Sequence, residues 1–407
     1  MKTQNKWFMF IILLISSITV GLSQLKIAAV LGSVAESLGV SVSQAALLMS
    51  LFTVAGIVLA VPGAAIMAKT GSKNLLLALM ASLVLGNVMG ALANSFNVMM
   101  ISRVIEGISY AMIIMVGIDM ISVWFADGGA GTATGIFNTF AAAANFIAMN
   151  ASIPIMHAMG LKALWWTIAA VAAVCFILVL LFIRIPERVS AIANESVPLD
   201  SGASIGEALK NGPVLVMCLL QLCLAFVLFG FITCYPQLFT GYYGLPETQA
   251  NFYSSLNGLF GIPVCIICGI VVEKTGKPFT VAMIGAIGCI VLCLTIPYLT
   301  ASTYIAHVIV SAICPGGLVM TSVFIIVPQL TERPALIGYS MSFINLMYYI
   351  GVFASTPVIL GAANGAGGWK SASLLMTAAS VLVFIFAIAA SAMSKKNKVS
   401  NKAAAQG

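Results

Sequence analysis

The chain has 407 residues, of which 61% are hydrophobic and 7% charged, whereas about a quarter of the residues in soluble domains carry charge. This excludes a soluble globular domain and points to an integral membrane protein. The formal net charge of +7 does not call for nucleic acid, because the basic residues sit in short loops beside apolar runs, where they orient a membrane protein.

Lys2 and Lys6 followed by the apolar run Trp7–Leu22 have the form of a signal peptide. Apolar character resumes after Lys26 and runs to Val34, so the segment is expected to be a retained first span. Runs of about 20 residues, enough to cross about 30 Å of hydrocarbon, mark the spans. Twelve follow, at 7–34, 44–68, 74–94, 97–124, 130–156, 163–184, 213–238, 249–272, 278–299, 302–329, 335–361 and 369–393. Six lie on each side of Arg184–Gly212, whose Pro186, Pro198 and mixed charges read as a linker with an amphipathic pattern at Ile205–Lys210. The expected fold is all-α and integral to the membrane, with twelve transmembrane helices in two six-helix bundles related by a pseudo-two-fold repeat. The expected domains are 1–188, a cytoplasmic linker 189–212, a second bundle 213–394 and a basic tail 395–407.

The halves repeat one another. Gly39–Lys73 aligns without a gap on Gly244–Pro278 at an offset of 205 residues, matching Gln44 to Gln249, Ala45 to Ala250, Lys69 to Lys274, Thr70 to Thr275 and Gly71 to Gly276. Ala151-Ser152-Ile153-Pro154 answers Ala354-Ser355-Thr356-Pro357 at a nearby offset. Such an echo is the trace of two similar bundles with any site between them. With both termini cytoplasmic, the inner side carries Lys2, Lys6, Lys69, Lys73, Arg184, Arg188, Lys210, Lys274, Lys277, Arg333, Lys395, Lys396, Lys398 and Lys402, and the outer side only Lys162 and Lys370. That asymmetry predicts a multi-pass protein of the plasma (inner) membrane with both termini inside. All five tryptophans fall at span ends, and all nine cysteines lie in apolar runs from Cys175 onward, where they read as packing residues.

Twelve spans in two halves, each half with a basic, Gly-containing loop after its second span, resemble the major facilitator superfamily across essentially the whole chain. The family's loop pattern, G-x-x-x-[DE]-[RK]-x-G-[RK], is met by Gly269 through Glu273, Lys274, Gly276 and Lys277. The first-half copy keeps Lys69, Gly71 and Lys73 but has Ala64, Ala68 and Ser72 at the leading Gly, acidic and basic positions. Asp119 is expected to supply the missing acid to Lys69 or Lys73. Arg103-Val104-Ile105-Glu106-Gly107 fits the fourth-helix pattern R-x-x-[QE]-G, while the antiporter run of the fifth helix is absent from Asn138–Pro154. The resemblance implies a secondary transporter working by alternating access.

Four charged side chains lie well inside the spans: Lys26, Arg103, Glu106 and Asp119. Intramembrane charge is costly enough to mark a pathway or a partner. Arg103 and Glu106 are one helical turn apart and serve either as a structural pair or as a proton-coupling pair. Ser16, Thr19, Ser23 and Lys26 share one helical face. Lys26 either snorkels to the outer interface or, as its depth favours, faces the cavity as a lone cation. Organophosphate antiporters of the superfamily resemble the chain in carrying a cation at this depth, which implies an anionic solute.

Ser23, Tyr110, Asn138, Asn145, Asn345 and Tyr349 are expected to complete a substrate site with neutral hydrogen bonds, although such residues also serve simply to join helices. Pro315-Gly316-Gly317 should loosen the tenth span. No Walker loop, dinucleotide fingerprint, Ser/His/Asp set or metal-ligand cluster argues for an enzyme, a cofactor or a metal. A channel would need a symmetric ring or filter, whereas the intramembrane charges all lie in the first half. The expectation is a monomeric secondary transporter of a small, anionic solute, with H+ the candidate coupling ion and with direction and mode of coupling left open. Carriers of neutral or cationic solutes, and a non-transporting receptor, are the alternatives.

Overall fold

In a computed structural model of the chain, the described residues are 3–184, 210–331 and 336–404. Lys2, Arg333, 405–407 and the linker up to residue 209, with Pro186, Arg188, Pro198 and most of Ile205–Lys210, lie outside them. So do the side chains of Ala64, Ala68, Glu273 and the tail lysines Lys395, Lys396, Lys398 and Lys402. The described residues contain helices and no strand. In hydrocarbon a backbone must satisfy its own N–H and C=O groups, and a helix does so within one segment.

Eleven helical stretches are long and apolar enough to cross a membrane. They are α1 (Lys6–Leu38), α2 (Val42–Leu59), α3 (Ser72–Leu92), α4 (Phe96–Trp124), α5 (Thr132–Met159), α6 (Ala163–Phe182), α7 (Gly212–Tyr242), α9 (Pro278–Tyr298), α10 (Tyr304–Leu330), α11 (Ile337–Ala363) and α12 (Gly368–Ser394). The 29-residue helix Glu247–Thr275 is α8 and completes the twelve. The short loops are legible locally. Ser41 accepts from the Gln44 backbone and the Gln44 side chain accepts from Ser41, a capping box that starts α2. Ser95 caps α4 through the Val98 N–H. Gly71 and Gly276, the paired glycines of the repeat, both turn with positive φ, 74° and 59°.

Several spans that the sequence presents as continuous are broken. The first helical segment of α1 ends at Leu25; Lys26 and Ile27 form a turn, Ala28–Val30 a 3-10 turn, and the helix resumes at Leu31. Near Pro62, which has no N–H to continue the ladder, α2 stops at Leu59 and a separate helix covers Gly63–Thr70. Asn138 and Thr139 interrupt α5. Around Pro315, α10 widens into π-turns over Ala312–Val319, the loosening expected of Pro315-Gly316-Gly317.

By their contacts, the described residues divide into two compact units. The first is drawn from Met1–Pro198, Ile232–Ile262 and Thr356–Gly361, and the second from Leu199–Phe231, Pro263–Ser355 and Ala362–Gly407. The first unit therefore contains the end of α7 and the beginning of α8 as well as α1 to α6.

Candidate functional site

Three charged side chains meet inside the first unit. Arg103 and Glu106 project from one face of α4, and Lys26 reaches them from the break in α1; all three are at most 1% exposed. Lys26 Nζ donates to Glu106 Oε2 at 2.9 Å and to Asn87 Oδ1 of α3 at 2.5 Å. It also lies 4.7 Å from the centre of the Trp165 ring of α6, so its ammonium is enclosed by carboxylate, amide and aromatic face. Arg103 donates to Glu106 Oε2 at 2.5 Å, to Ser23 O at 2.8 Å, to Gln24 O at 3.2 Å and to Leu48 O at 3.0 Å. Its guanidinium covers the Phe52 ring at 4.5 Å.

Glu106 is the centre of this arrangement. Its Oε2 accepts from Lys26, Arg103 and the Ser23 hydroxyl, the last at 2.6 Å, while its buried Oε1 has no donor among the described residues. Asn87 Nδ2 donates to Ser23 Oγ and to Leu83 O, which fixes the amide so that its oxygen faces Lys26. Close packing of α3 on α4 brings these groups together. A Cβ on Gly86 would stand 2.6 Å from Glu106 Cγ and 2.7 Å from the Glu106 nitrogen, so only glycine lets the two helices approach this closely. Two cations and one carboxylate leave a formal charge of +1 within the cluster, out of water.

These contacts correct the sequence reading of Lys26 as a lone cation available to an anion. Its charge is met in place by Glu106, and its burial also rules out a snorkelling position. Ser23, expected to bind solute, is likewise engaged with Glu106 and Asn87. The Arg103–Glu106 pair is present as drawn from the i, i+3 spacing. Asp119 is not the acid for the basic loop: it accepts from the Ser72 hydroxyl, and Lys73 Nζ donates to Leu180 O at 3.1 Å. The hydroxyl is one residue from the expected lysine and reaches the carboxylate without desolvating an ammonium. Lys69 and Lys274 are exposed near the paired turns at Gly71 and Gly276, and Gly269 lies within α8.

Tyr110 is buried and packs against Phe52, 5.7 Å between ring centres. Asn145 is 3% exposed, and neither amide atom has a protein partner among the described residues. Among the described residues it makes no side-chain hydrogen bond that joins helices. Asn138 is exposed at the break in α5. Asn345 and Tyr349 belong to the second unit, the first exposed and the second buried.

Sequence reasoning missed Asn87, Trp165 and the glycine at 86. Asn87 offered a signal, being an amide in the middle of an otherwise apolar span. Trp165 was assigned to the interface by its position at a span end, but it is 1% exposed and covers Lys26.

A family model of the Major Facilitator Superfamily matches residues 9–356. No curated protein sequence matches the chain. Among solved structures, a crystal structure of a variant of the nucleoside transporter NupG superposes with a TM-score of 0.76 at 14% sequence identity, covering 95% of this chain and 100% of that one. At that identity the likeness is one of fold.

The charge count orders the stabilities of variants. Glu106→Gln strands two buried cations and should cost about 3–5 kcal/mol, the usual scale for breaking a buried ion pair from one side. Lys26→Met leaves Arg103 and Glu106 as a neutral pair and should cost less. Combining Lys26→Met with Glu106→Gln restores the wild-type formal charge and should recover part of the loss. Thermal unfolding of the purified protein in detergent checks the order; Lys26→Met melting below Glu106→Gln would contradict it.

Proposed function

Because the chain belongs to the Major Facilitator Superfamily, we propose that it is a secondary transporter whose solute is a small polar molecule held by neutral hydrogen-bonding groups, with the Lys26–Glu106–Arg103 cluster serving coupling. The transporter class rests on the family. The observation that carries the rest is the position of Lys26 Nζ, whose hydrogen bonds go to Glu106 and Asn87 rather than to a cavity. Substrate charge read from Lys26 therefore loses its premise. Buried Asn145 has unfilled hydrogen-bonding capacity at both amide atoms, and Gln24 at its Nε2, as suits a solute rich in hydroxyl, amide or ring-nitrogen groups. Nucleosides are of this kind, and the fold neighbour is a nucleoside transporter.

In this reading the bundles 1–188 and 213–394, joined by 189–212, are the moving bodies, and a single chain is the working unit. The coupled ion is H+, taken at Glu106 Oε1, the carboxylate oxygen without a protein donor. A proton there removes the only negative charge between two cations. Lys26 and Arg103 then repel, and the cluster that holds α1 to α4 separates, which turns proton binding into a change of shape. The excess of basic residues on one side supports cytoplasmic termini in a plasma (inner) membrane protein.

Thermal stabilisation of purified protein by uridine, glucose, lactate, inorganic phosphate and tetraphenylphosphonium tests the solute class. Stabilisation by uridine or glucose is expected; stabilisation by lactate or phosphate alone would reinstate an anion. Coupling is tested in proteoliposomes with whichever compound binds. The charge-balanced variant Lys26→Met with Glu106→Gln should lose accumulation driven by a pH gradient yet retain exchange, and unchanged accumulation would reduce the cluster to a structural role.

Orientation has its own test. Cysteines introduced at Gly71 and Gly276 should react with an impermeant maleimide in inverted vesicles and not in intact cells. Reaction of either in intact cells would reverse the assignment.

A further inference from the structure

At the break in α1, two side chains from the second half of the sequence donate to backbone carbonyls inside the first unit. Gln237 Nε2, at the end of the regular part of α7, donates to Ala28 O at 3.0 Å. Asn251 Nδ2, in the first turns of α8, donates to Ala29 O at 3.0 Å. The two acceptors belong to consecutive residues, both buried. An amide that touches a carbonyl must present its NH2 group, so the orientation of both side chains is fixed by chemistry. Both acceptors lie in the irregular stretch of α1, where Val30 departs from helical geometry, with φ −129° and ψ 25°.

The same side of the unit is closed by direct backbone packing. A Cβ on Gly258 of α8 would stand 2.5 Å from Ala142 O and 3.0 Å from Asn145 Cβ of α5. The ends of α7 and α8 are thus fastened to α1 by two neutral hydrogen bonds and seated on α5 by a glycine contact. When they part from α1, Ala28 O and Ala29 O lose these side-chain donors, at about 1 kcal/mol for each neutral hydrogen bond.

We propose that Gln237 and Asn251 are positioning residues of the transport cycle: amide latches that hold the broken first span against α7 and α8 and release when the path opens on that side. By the span order the latch lies toward the membrane face opposite Gly71 and Gly276. No substrate identity enters the argument, so the latch stands or falls separately from the solute class.

The test replaces both donors by apolar side chains of similar size, Gln237→Met with Asn251→Leu, in the full-length protein. Amide hydrogen exchange of peptides spanning 24–38 and 247–258 should accelerate by about thirty-fold, the change expected from losing two hydrogen bonds of ordinary strength. Exchange within 72–92 should not change. A cysteine at Ala250, which is fully buried in the wild type, should become reactive to an impermeant maleimide in the double variant, from the face opposite Gly71 and Gly276 only. A merely structural loosening would not produce that sidedness. Unchanged exchange at the seam, or reactivity at Ala250 from the same face as Gly71 and Gly276, overturns the proposal. If the double variant exchanges rapidly throughout, the single variants decide: the latch stands if either accelerates the seam alone and falls if neither does.

Discussion

One carboxylate oxygen determines how the first unit is assembled. Glu106 Oε2 draws Lys26 and Ser23 from α1, Arg103 from its own helix and, through Lys26 and Ser23, Asn87 from α3. Trp165 of α6 and Phe52 of α2 close over the two cations. Inside a bilayer, apolar helices gain no hydrophobic free energy from one another beyond what lipid already gives them, so packing and polar contacts select the register. A carboxylate between two cations selects it sharply, because any slip of one helical turn would leave a buried charge alone.

Arg103 has a second task that explains why an arginine rather than a lysine suits the position. Its forked guanidinium neutralises Glu106 while taking the carbonyls of Ser23 and Gln24, just before the break in α1, and of Leu48 in α2. A single ammonium has neither the reach nor the number of donors to span two backbones and a carboxylate. Charge pairing and backbone satisfaction are therefore one interaction, and the irregular stretch of α1 is tolerated because protein groups surround it.

Much of the fold was legible in the sequence because lipid imposes simple rules. Span length and the paired Gly71 and Gly276 turns follow from local patterns. The loosening at Pro315 was legible, but the break in α1 was not, since Lys26 to Val30 contains neither proline nor glycine and the backbone there is held by donors about 80 to 220 residues away in sequence. Within the candidate site, Arg103 and Glu106 could be paired from helical spacing alone. The partnership of Lys26 with Glu106 could not, because it depends on how α1 lies against α4, and a cation without a visible local partner was read as a cation without any. Asp119 shows the same limit at smaller scale: its acceptor role was foreseen, but a hydroxyl one residue from the expected lysine fills it.

The stretch of α1 from Ser23 to Ala29 is held from two sides by unequal means. Arg103 and Glu106 grip it with charge-assisted hydrogen bonds, worth about 1.5–3 kcal/mol each, whereas Gln237 and Asn251 hold it with neutral ones worth about 1 kcal/mol. Parting α7 and α8 from α1 would break neutral hydrogen bonds only and leave the charges paired. Separating α1 from α4 would leave buried charges apart, which costs more. A single broken helix thus carries two contacts of different strength, one made of neutral hydrogen bonds and one of charge-assisted hydrogen bonds.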